Sequence, residues 1–336
     1  MAVPSVGIRS RIDLDELNLL ISFGLPAQYV ERIRVFSPRV RVQQSRNREE
    51  ALALVRDVDI LLAGFFSLEL FRAAKRLKWI QTLFAGVDRF LYPEIVKSSV
   101  VITSASGVNS IAVSEHVIGM MLCLNRKLHL FVRNQTERKW KTSDADLTFQ
   151  MDELSGKTAG IVGLGRIGSE IAKRAKCLGM RVVATRRDPS APKSDYVDKP
   201  VPLGNLEELL ADSDFVIIQV PLTRETEGMF GEKELDRMKP TAYLVNASRG
   251  KIIKEDELIE ALRERRIAGA ALDTFSVEPL PEDSPLWSMQ NVILTPHVAG
   301  LTPRYMERLT DLFCDGLRRF MNNEPLINVV DKSRGY

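Results

Sequence analysis

The stretch "KTAGIVGLGRIGSEIAKRAKCLGM", residues Lys157–Met180, decides the fold. It begins with an apolar run, Thr158–Val162, that reads as a buried strand, and it continues into a helical stretch. Between the two, Gly163, Gly165 and Gly168 form the pattern G-x-G-x-x-G. The first glycine permits a tight turn, the second lets backbone approach a pyrophosphate, and the third lets helix and strand pack closely. In this strand–turn–helix context the motif predicts a dinucleotide-binding βαβ unit, rather than a glycine-rich turn without a ligand.

Short apolar runs alternate with amphipathic helical stretches through most of the chain, which is the pattern of a parallel sheet with helices on both faces. The predicted fold class is therefore α/β. Six predicted strands complete a doubly wound, Rossmann-type sheet: Thr158–Val162, Arg181–Thr185, Phe215–Val220, Tyr243–Asn246, Ala268–Leu272 and Val292–Thr295. Three earlier runs predict a smaller sheet: Val58–Ala63, Trp79–Phe84 and Val100–Thr103.

The length of 336 residues exceeds what one hydrophobic core usually holds, so two domains are expected. A helix of about 18 residues, apolar almost all round, begins near Asn109 and is expected to be buried as a hinge. We predict a dinucleotide-binding Rossmann domain at 109–301, and a smaller, discontinuous, flavodoxin-like α/β domain at 1–108 and 302–336. The polar stretch 131–150 is expected to form an extended arm or loop.

Charge and cysteine usage exclude several classes of partner and site. The chain has 47 Lys plus Arg against 44 Asp plus Glu, which is too near balance to indicate nucleic acid or an anionic membrane as a partner. Cys123, Cys177 and Cys314 are far apart, so neither a disulfide framework nor a zinc site is indicated. No apolar stretch has the length of a membrane span. We expect a cytoplasmic protein that contains no metal.

Two cations, Arg186 and Arg187, directly follow the predicted strand Arg181–Thr185, about 20 positions beyond the glycine turn. An Asp or Glu at this place would accept hydrogen bonds from the ribose hydroxyls of NAD and repel the 2′-phosphate of NADP. Guanidinium groups instead pair with a phosphate through charge-assisted hydrogen bonds. The sequence therefore predicts NADP as the cofactor. NAD is the alternative, if Asp188 serves the ribose and the arginines are merely solvated.

Three ionisable residues, Arg249, Glu278 and His297, follow strands of the second sheet, in "NASRG", "FSVEPLP" and "TPHVAG". Open α/β sheets bind ligands beyond the carboxyl ends of their strands. Taken singly, each residue has a simple structural explanation. Arg249 could pair with an acidic side chain of a helix, Glu278 could be an ordinary loop carboxylate, and His297 could cap a strand. Together they supply what hydride transfer to a 2-keto acid needs, which is an acid near the carbonyl oxygen and a cation for the carboxylate.

His297 is the predicted general acid, because histidine exchanges protons near neutral pH. A hydrogen bond to Glu278 would orient its ring, and Arg249 offers the planar fork that a carboxylate prefers. The other two histidines are interpreted as structural. His116 lies inside the long apolar helix and is interpreted as a packing residue. His129 lies near the C-terminal end of that helix, where the helix dipole stabilises a positive charge.

The order of the motifs "LFAGVDRF", "GIVGLGRIG", "VNASRG", "FSVEPLP" and "TPHVAG" resembles that of the D-isomer-specific 2-hydroxyacid dehydrogenases, over most of the chain. The resemblance implies an NAD(P)-dependent reaction on a small 2-keto or 2-hydroxy acid. Arg249, Glu278 and His297 then match the catalytic residues of the family. The missing acid after the second strand resembles the NADP-using glyoxylate and hydroxypyruvate reductase branch, while the first 50 residues match little.

The resemblance also implies further binding residues and a partner. The family's substrate-carboxylate loop falls on Ala85, Gly86 and Val87, whose backbone N–H groups would bind the anion. Homodimers joined through the nucleotide domains are common in the family, so a homodimer is expected here. The implied cofactor contacts are Gly163, Gly165, Arg166, Ile167, Gly168, Arg186, Arg187, Val220, Pro221 and Asp273.

A second class of function remains open from the sequence: a dinucleotide-sensing binding protein, like the corepressors that share this fold. Oxidation of NADPH by a keto acid would discriminate the two, since a sensor binds without turnover. The motifs do not specify which acid is the substrate. Phe65, Phe66, Trp287 and Tyr305 are candidates to shape the pocket for its side chain, and core packing explains each of them equally well.

Overall fold

The computed structural model of the chain describes residues 16–88, 90–140, 151–186 and 194–336. It divides into two compact units. The smaller unit contains the residues up to Val108 together with Thr302–Tyr336, and the larger unit is Asn109–Leu301.

The described residues form the following elements in chain order. The strands are β1 (Leu17–Ile21), β2 (Val40–Gln44), β3 (Ile60–Ala63), β4 (Trp79–Thr82), β5 (Val101–Thr103), β6 (Thr158–Val162), β7 (Arg181–Arg186), β8 (Lys199–Pro202), β9 (Phe215–Ile218), β10 (Tyr243–Asn246), β11 (Gly269–Leu272) and β12 (Val292–Leu294). The helices are α1 (Ala27–Phe36), α2 (Arg48–Leu54), α3 (Leu68–Ala73), α4 (Pro93–Lys97), α5 (Ser110–Asn125), α6 (Leu128–Thr136), α7 (Arg166–Cys177), α8 (Leu206–Asp212), α9 (Glu232–Leu235), α10 (Glu255–Arg263) and α11 (Tyr305–Met321). Short 3-10 helices lie at Val55–Asp57, Leu203–Asn205, Gly250–Ile252 and Pro285–Ser288.

The smaller unit is built on a parallel sheet with the strand order β2-β1-β3-β4-β5, which is the flavodoxin-like order. The C-terminal helix α11 packs on this sheet. Its Phe313 and Phe320 stack on Trp79 of β4, with ring centroids 5.3 and 5.4 Å away. The indole of Trp79 is fully buried and donates a hydrogen bond to Thr103 Oγ1 at 2.8 Å. The end of the chain therefore contributes to the core that its beginning forms.

The larger unit is built on a seven-stranded parallel sheet with the order β12-β11-β10-β9-β6-β7-β8. Strand order reverses between β6 and β9, because β7 and β8 extend the sheet on one side and β9 to β12 on the other. This reversal is the switch point at which doubly wound sheets bind nucleotides. The predicted α/β class, with a Rossmann-type domain and a smaller flavodoxin-like one, is confirmed. The prediction of six strands was wrong by one, since it omitted β8.

Two helices follow one another at the start of the larger unit. The first, α5, packs on α7 and on strands β10 and β11, and it buries Val113, Val117 and Met121, as its apolar sequence predicts. The second, α6, corrects the prediction of an extended arm, because the arm's first residues are helical. Helix α6 exposes Val132, and the following Trp140 is 93% exposed. The rest of the predicted arm, 141–150, lies outside the described residues.

Within the part of the chain that the structure describes, no helix combines the length and the apolar character needed to cross a bilayer. Cys123, Cys177 and Cys314 are all free thiols.

Candidate active site

His297 and Glu278 form a hydrogen-bonded pair in the larger unit. His297 Nδ1 lies 2.8 Å from Glu278 Oε2, and the backbone N–H of Phe275 donates to Glu278 Oε1 at 3.0 Å. Partial burial opposes ionisation of this carboxyl. The hydrogen bonds from His297 and Phe275 and the charges of His297 and Arg249 outweigh burial, and together they hold the pKa of Glu278 below its usual value.

An ionised Glu278 fixes where the protons of His297 lie. A carboxylate only accepts hydrogen bonds, so Nδ1 of His297 must carry a proton. No described residue bonds to Nε2, and the side chain is 47% exposed. The ring therefore presents Nε2 as the atom that can give or take a proton.

His297 has a left-handed backbone conformation, with φ of 54°. Its backbone N–H donates to the carbonyl of Asp273 at 2.8 Å. The Asp273 carboxylate is buried and accepts hydrogen bonds from the N–H groups of Val298 and Ala299, at 2.9 and 3.0 Å, and from Thr295 Oγ1 at 2.6 Å. Asp273 thus binds the chain on both sides of His297 and holds the unusual turn in place.

Arg249 follows β10 and begins the short helix Gly250–Ile252. Its carbonyl accepts a hydrogen bond from the Asn246 side chain at 3.0 Å, and one guanidinium nitrogen donates to the Ser248 carbonyl at 2.9 Å. A Cβ on Gly250 would lie 1.9 Å from the carbonyl carbon of Phe275. Only glycine allows this approach, which brings the Arg249 segment against the segment that carries Glu278. The structure therefore brings Arg249, Glu278 and His297 together.

The glycine turn after β6 has the features that a dinucleotide needs. Gly163 has φ of 107°, and a Cβ there would lie 2.7 Å from the Gln219 carbonyl oxygen. A Cβ on Gly168 would lie 2.2 Å from the Gly163 oxygen, whereas one on Gly165 would meet nothing within 4 Å. The backbone at Gly165, the N-cap residue of α7, is therefore accessible. Gln219 Nε2 is buried beside this turn without an acceptor among the described residues, so the turn and its surroundings fit a bound dinucleotide.

Five of the remaining predicted cofactor residues lie near this turn, whereas Asp273 follows β11. Arg166 and Ile167 are the first two residues of α7, and Arg186 is the last residue of β7. Val220 and Pro221 follow β9, on the other side of the strand-order reversal. Arg187 lies outside the described residues.

The predicted substrate loop, Ala85, Gly86 and Val87, lies in the smaller unit, after β4. Within the described chain, none of these three backbone N–H groups donates a hydrogen bond. The neighbouring backbone is held from both sides. The Leu83 N–H donates to the Ala63 carbonyl, and the Phe90 N–H donates to the Val87 carbonyl, both at 2.8 Å. The loop thus offers three successive donors on a fixed backbone.

The aromatic candidates for substrate selection are mostly packed. Phe65 and Phe66 belong to the core of the smaller unit, where Phe66 stacks on Phe90 with a centroid distance of 5.2 Å. Tyr305 is largely buried, which raises its pKa to about 12. Trp287 is 53% exposed, and its indole donates to a carbonyl in the same loop.

A family model for the NAD-binding domain of the D-isomer specific 2-hydroxyacid dehydrogenases matches residues 118–299, more than half of the chain. The chain belongs to this family. It is 39% identical to a glyoxylate reductase of Thermococcus onnurineus, with 85% of this chain and 86% of that protein covered. It is 33% identical to the D-3-phosphoglycerate dehydrogenase of Archaeoglobus fulgidus over 94% of this chain, which spans only 59% of that longer protein.

Among solved structures of this 2-hydroxyacid dehydrogenase fold, the chain is similar to the NADPH-dependent glyoxylate/hydroxypyruvate reductase of Sinorhizobium meliloti, crystallised with NADP and sulfate. The TM-score is 0.81 and the identity 25%, with 96% of this chain and all of that chain covered. The resemblance predicted from the sequence motifs is confirmed. This 2-hydroxyacid dehydrogenase is an NAD(P)-dependent oxidoreductase of the 2-keto and 2-hydroxy acid class, and the alternative of a corepressor-like sensor is not favoured.

Sequence reasoning missed one contributor to the site. His116, interpreted from the sequence as a packing residue, lies with its Nε2 3.0 Å from Thr295 Oγ1 and 3.8 Å from Asp273 Oδ1. Its ring belongs to the same hydrogen-bonded group as the turn that carries His297. The periodicity of α5 contained no signal for this contact, because the helix is apolar on most of its surface.

Glu278 predicts a pH dependence of stability. Its pKa is lower in the folded chain than the usual 4.5, so the ionised carboxylate stabilises the fold above that pH, and the stabilisation is lost as pH falls below it. Glu278→Gln cannot ionise and lacks this contribution. We expect the difference in unfolding free energy between wild type and variant to shrink as pH falls from neutral through this range, measured by urea unfolding. A difference that does not change with pH would contradict the assignment.

Proposed function

We propose that this 2-hydroxyacid dehydrogenase reduces a small 2-keto acid, of the glyoxylate or hydroxypyruvate type, with NADPH. The observation that carries the proposal is the His297–Glu278 pair beside Arg249, with Nε2 of His297 left unbonded within the described chain. The names of the Thermococcus and Sinorhizobium relatives support the substrate class.

The bound nicotinamide ring would supply a hydride to the carbonyl carbon of the keto acid. The chain's own residues would handle the proton and the charge. His297 donates the Nε2 proton to the carbonyl oxygen as negative charge develops there, while Nδ1 stays bonded to Glu278. Ionised Glu278 holds the ring in this orientation and stabilises its positive charge. In the reverse direction, neutral Nε2 accepts the hydroxyl proton.

Arg249 in the larger unit and the Ala85–Val87 loop in the smaller unit are proposed, each taken by itself, as carboxylate-binding elements. Arg249 provides a planar guanidinium that pairs with a carboxylate through two parallel hydrogen bonds. The Ala85–Val87 loop provides backbone N–H groups that have no acceptor within the described chain. Successive backbone donors of this kind form anion-binding concavities. The carboxylate is thus the common feature of the acids that the protein would accept.

Turnover tests this function. We expect rapid oxidation of NADPH, followed by absorbance, with glyoxylate and hydroxypyruvate, and slower oxidation with branched or long-chain 2-keto acids. Pyruvate and pyruvamide, which differ only in that a neutral amide replaces the carboxylate, are the matched control pair, and pyruvamide should be much the poorer substrate. No turnover with any 2-keto acid of the panel would refute the proposal.

We also propose NADP, rather than NAD, as the preferred cofactor. Arg186 stands at the end of β7, and the preceding Thr185 is hydrogen bonded to the glycine turn: Gly163 N–H donates to its hydroxyl at 2.9 Å and Leu164 N–H to its carbonyl at 3.1 Å. These contacts support a position for Arg186 beside the ribose that the turn would hold. The Sinorhizobium relative was crystallised with NADP.

Arg186→Asp tests the cofactor proposal. The wild type should have a higher kcat/KM with NADPH than with NADH, and the variant should favour NADH, because a carboxylate repels the 2′-phosphate and accepts hydrogen bonds from ribose hydroxyls. Arg181→Ala changes an arginine at the opposite end of the same strand and should leave the ratio unchanged. Equal use of both cofactors by the wild type would defeat the proposal.

Two further expectations remain proposals. The homodimer implied by the family is supported by the exposed apolar residues Val132 and Trp140, and sedimentation equilibrium would measure the mass directly. Cytoplasmic localisation is supported by the three free thiols.

A further inference from the structure

His116 is joined to the turn of His297 by a chain of short polar contacts. Its Nε2 lies 3.0 Å from Thr295 Oγ1, and Thr295 Oγ1 lies 2.6 Å from Asp273 Oδ1. His116 belongs to α5, whereas Thr295 follows β12 and Asp273 follows β11. The contacts therefore join a helix that covers the sheet to two strand ends.

The direction of each hydrogen bond in this chain follows from proton counting. The Asp273 carboxylate accepts a backbone N–H on each oxygen, from Val298 and from Ala299, so it acts as the acceptor. The single hydroxyl proton of Thr295 is therefore donated to Asp273 Oδ1. Thr295 Oγ1 has only lone pairs left for His116, so Nε2 of His116 must be the donor. The relay therefore runs from His116 to Thr295 and from Thr295 to Asp273.

The relay acts on the backbone that holds His297. Thr295 and Val298, which flank His297, are both bound to Asp273 Oδ1, and the His297 N–H is bound to the Asp273 carbonyl. A left-handed φ of 54° is sterically unfavourable for a residue with a side chain, so the turn persists only where its surroundings hold it. His116 fixes the hydroxyl of Thr295 in the orientation that Asp273 needs.

We propose that His116 is a positioning residue for His297, acting through Thr295 and Asp273. It touches neither the keto acid nor the cofactor in this role. It keeps Nε2 of His297 directed at the reacting carbonyl by holding the 295–299 turn. The consequence for turnover rests on the proposed function, whereas the consequence for the turn itself does not.

Two replacements of His116 separate its hydrogen bond from its volume. Leucine fills similar space and cannot donate, while the side-chain amide of glutamine places an N–H near the position of Nε2. We expect His116→Leu to lower kcat by about tenfold to a hundredfold, because small displacements of a catalytic group cost this much. The dissociation constant of NADPH, measured by fluorescence, should stay unchanged, and His116→Gln should restore most of kcat. Full kcat in His116→Leu, or no recovery in His116→Gln, would overturn the proposal.

Thr295→Val tests whether the two residues act in one relay. The single variant should lose a similar factor in kcat, and adding His116→Leu to it should cause little further loss, because the relay is already broken. Losses that multiply in the double variant would show independent roles and would contradict the relay.

Hydrogen exchange gives a readout that does not depend on catalysis. The Val298 and Ala299 amides, which donate to Asp273, should exchange about tenfold faster or more in His116→Leu and near the wild-type rate in His116→Gln. Unchanged protection in the leucine variant would refute the relay even in an active enzyme. A wild type that reduces no keto acid would instead refute the proposed function, and the exchange comparison would still decide the relay.

Discussion

Replacing His297 with alanine should lower kcat for keto-acid reduction by about two to four decades and leave NADPH affinity nearly intact. Nδ1 of the ring is paired with Glu278 and Nε2 bonds to no described residue, so Nε2 is the ring atom that can give a proton to the substrate. Without it, the developing alkoxide must take its proton from water. The glycine turn that would hold the dinucleotide lies after a different strand and does not depend on this ring.

Steady-state kinetics and fluorescence titration of NADPH would measure both parts of this expectation. His129→Gln is the matched control, because both ring nitrogens of His129 are bonded to backbone carbonyls, those of Cys123 and Gln290, and neither is bonded to Glu278 or His297. It should keep kcat close to that of the wild type. Full turnover by His297→Ala would show that the proton comes from elsewhere.

Replacing Arg249 with alanine should lower kcat/KM for the keto acid by about two to three decades, since it removes a charged donor from both the bound substrate and the transition state. Both a higher KM and a lower kcat are expected. Arg249→Lys keeps the charge but loses the planar fork, so it should recover only part of the loss.

Arg237→Ala is the control for this series, because Arg237 is an exposed arginine of the same unit. It should show wild-type kinetics. If Arg249→Ala changed neither constant, the proposal that Arg249 binds the substrate would be refuted.

Strands were predicted well where burial makes them continuous apolar runs. The predicted bounds of β6 and β10 agree with the structure, since both lie inside the seven-stranded sheet and are covered on both faces. The missed strands are β1, β2 and β8. Polar Asn18 interrupts β1, and β2 and β8 are edge strands, of which β8 contains two prolines. Edge strands carry a weaker hydrophobic signal, and proline argues against a strand in the sequence.

The sequence motifs were enough to predict one contact of the site but not another. The bond between His297 and Glu278 was expected, because both residues follow strands of one sheet and their chemistry is complementary. The bond from His116 to Thr295 joins residues 179 positions apart, and it was not expected. A single polar side chain on a nearly all-apolar helix has the same pattern whether it packs or donates, so only the tertiary structure identifies its partner.

At position 297 the residue that the backbone conformation favours differs from the residue that the proposed catalysis needs. Glycine adopts φ of 54° without steric cost, so a chain selected only for its fold would favour glycine there. The present chain keeps an imidazole instead and holds it with a buried carboxylate. Thermostability screens that ignore turnover should therefore tend to select against the very side chain on which reduction depends.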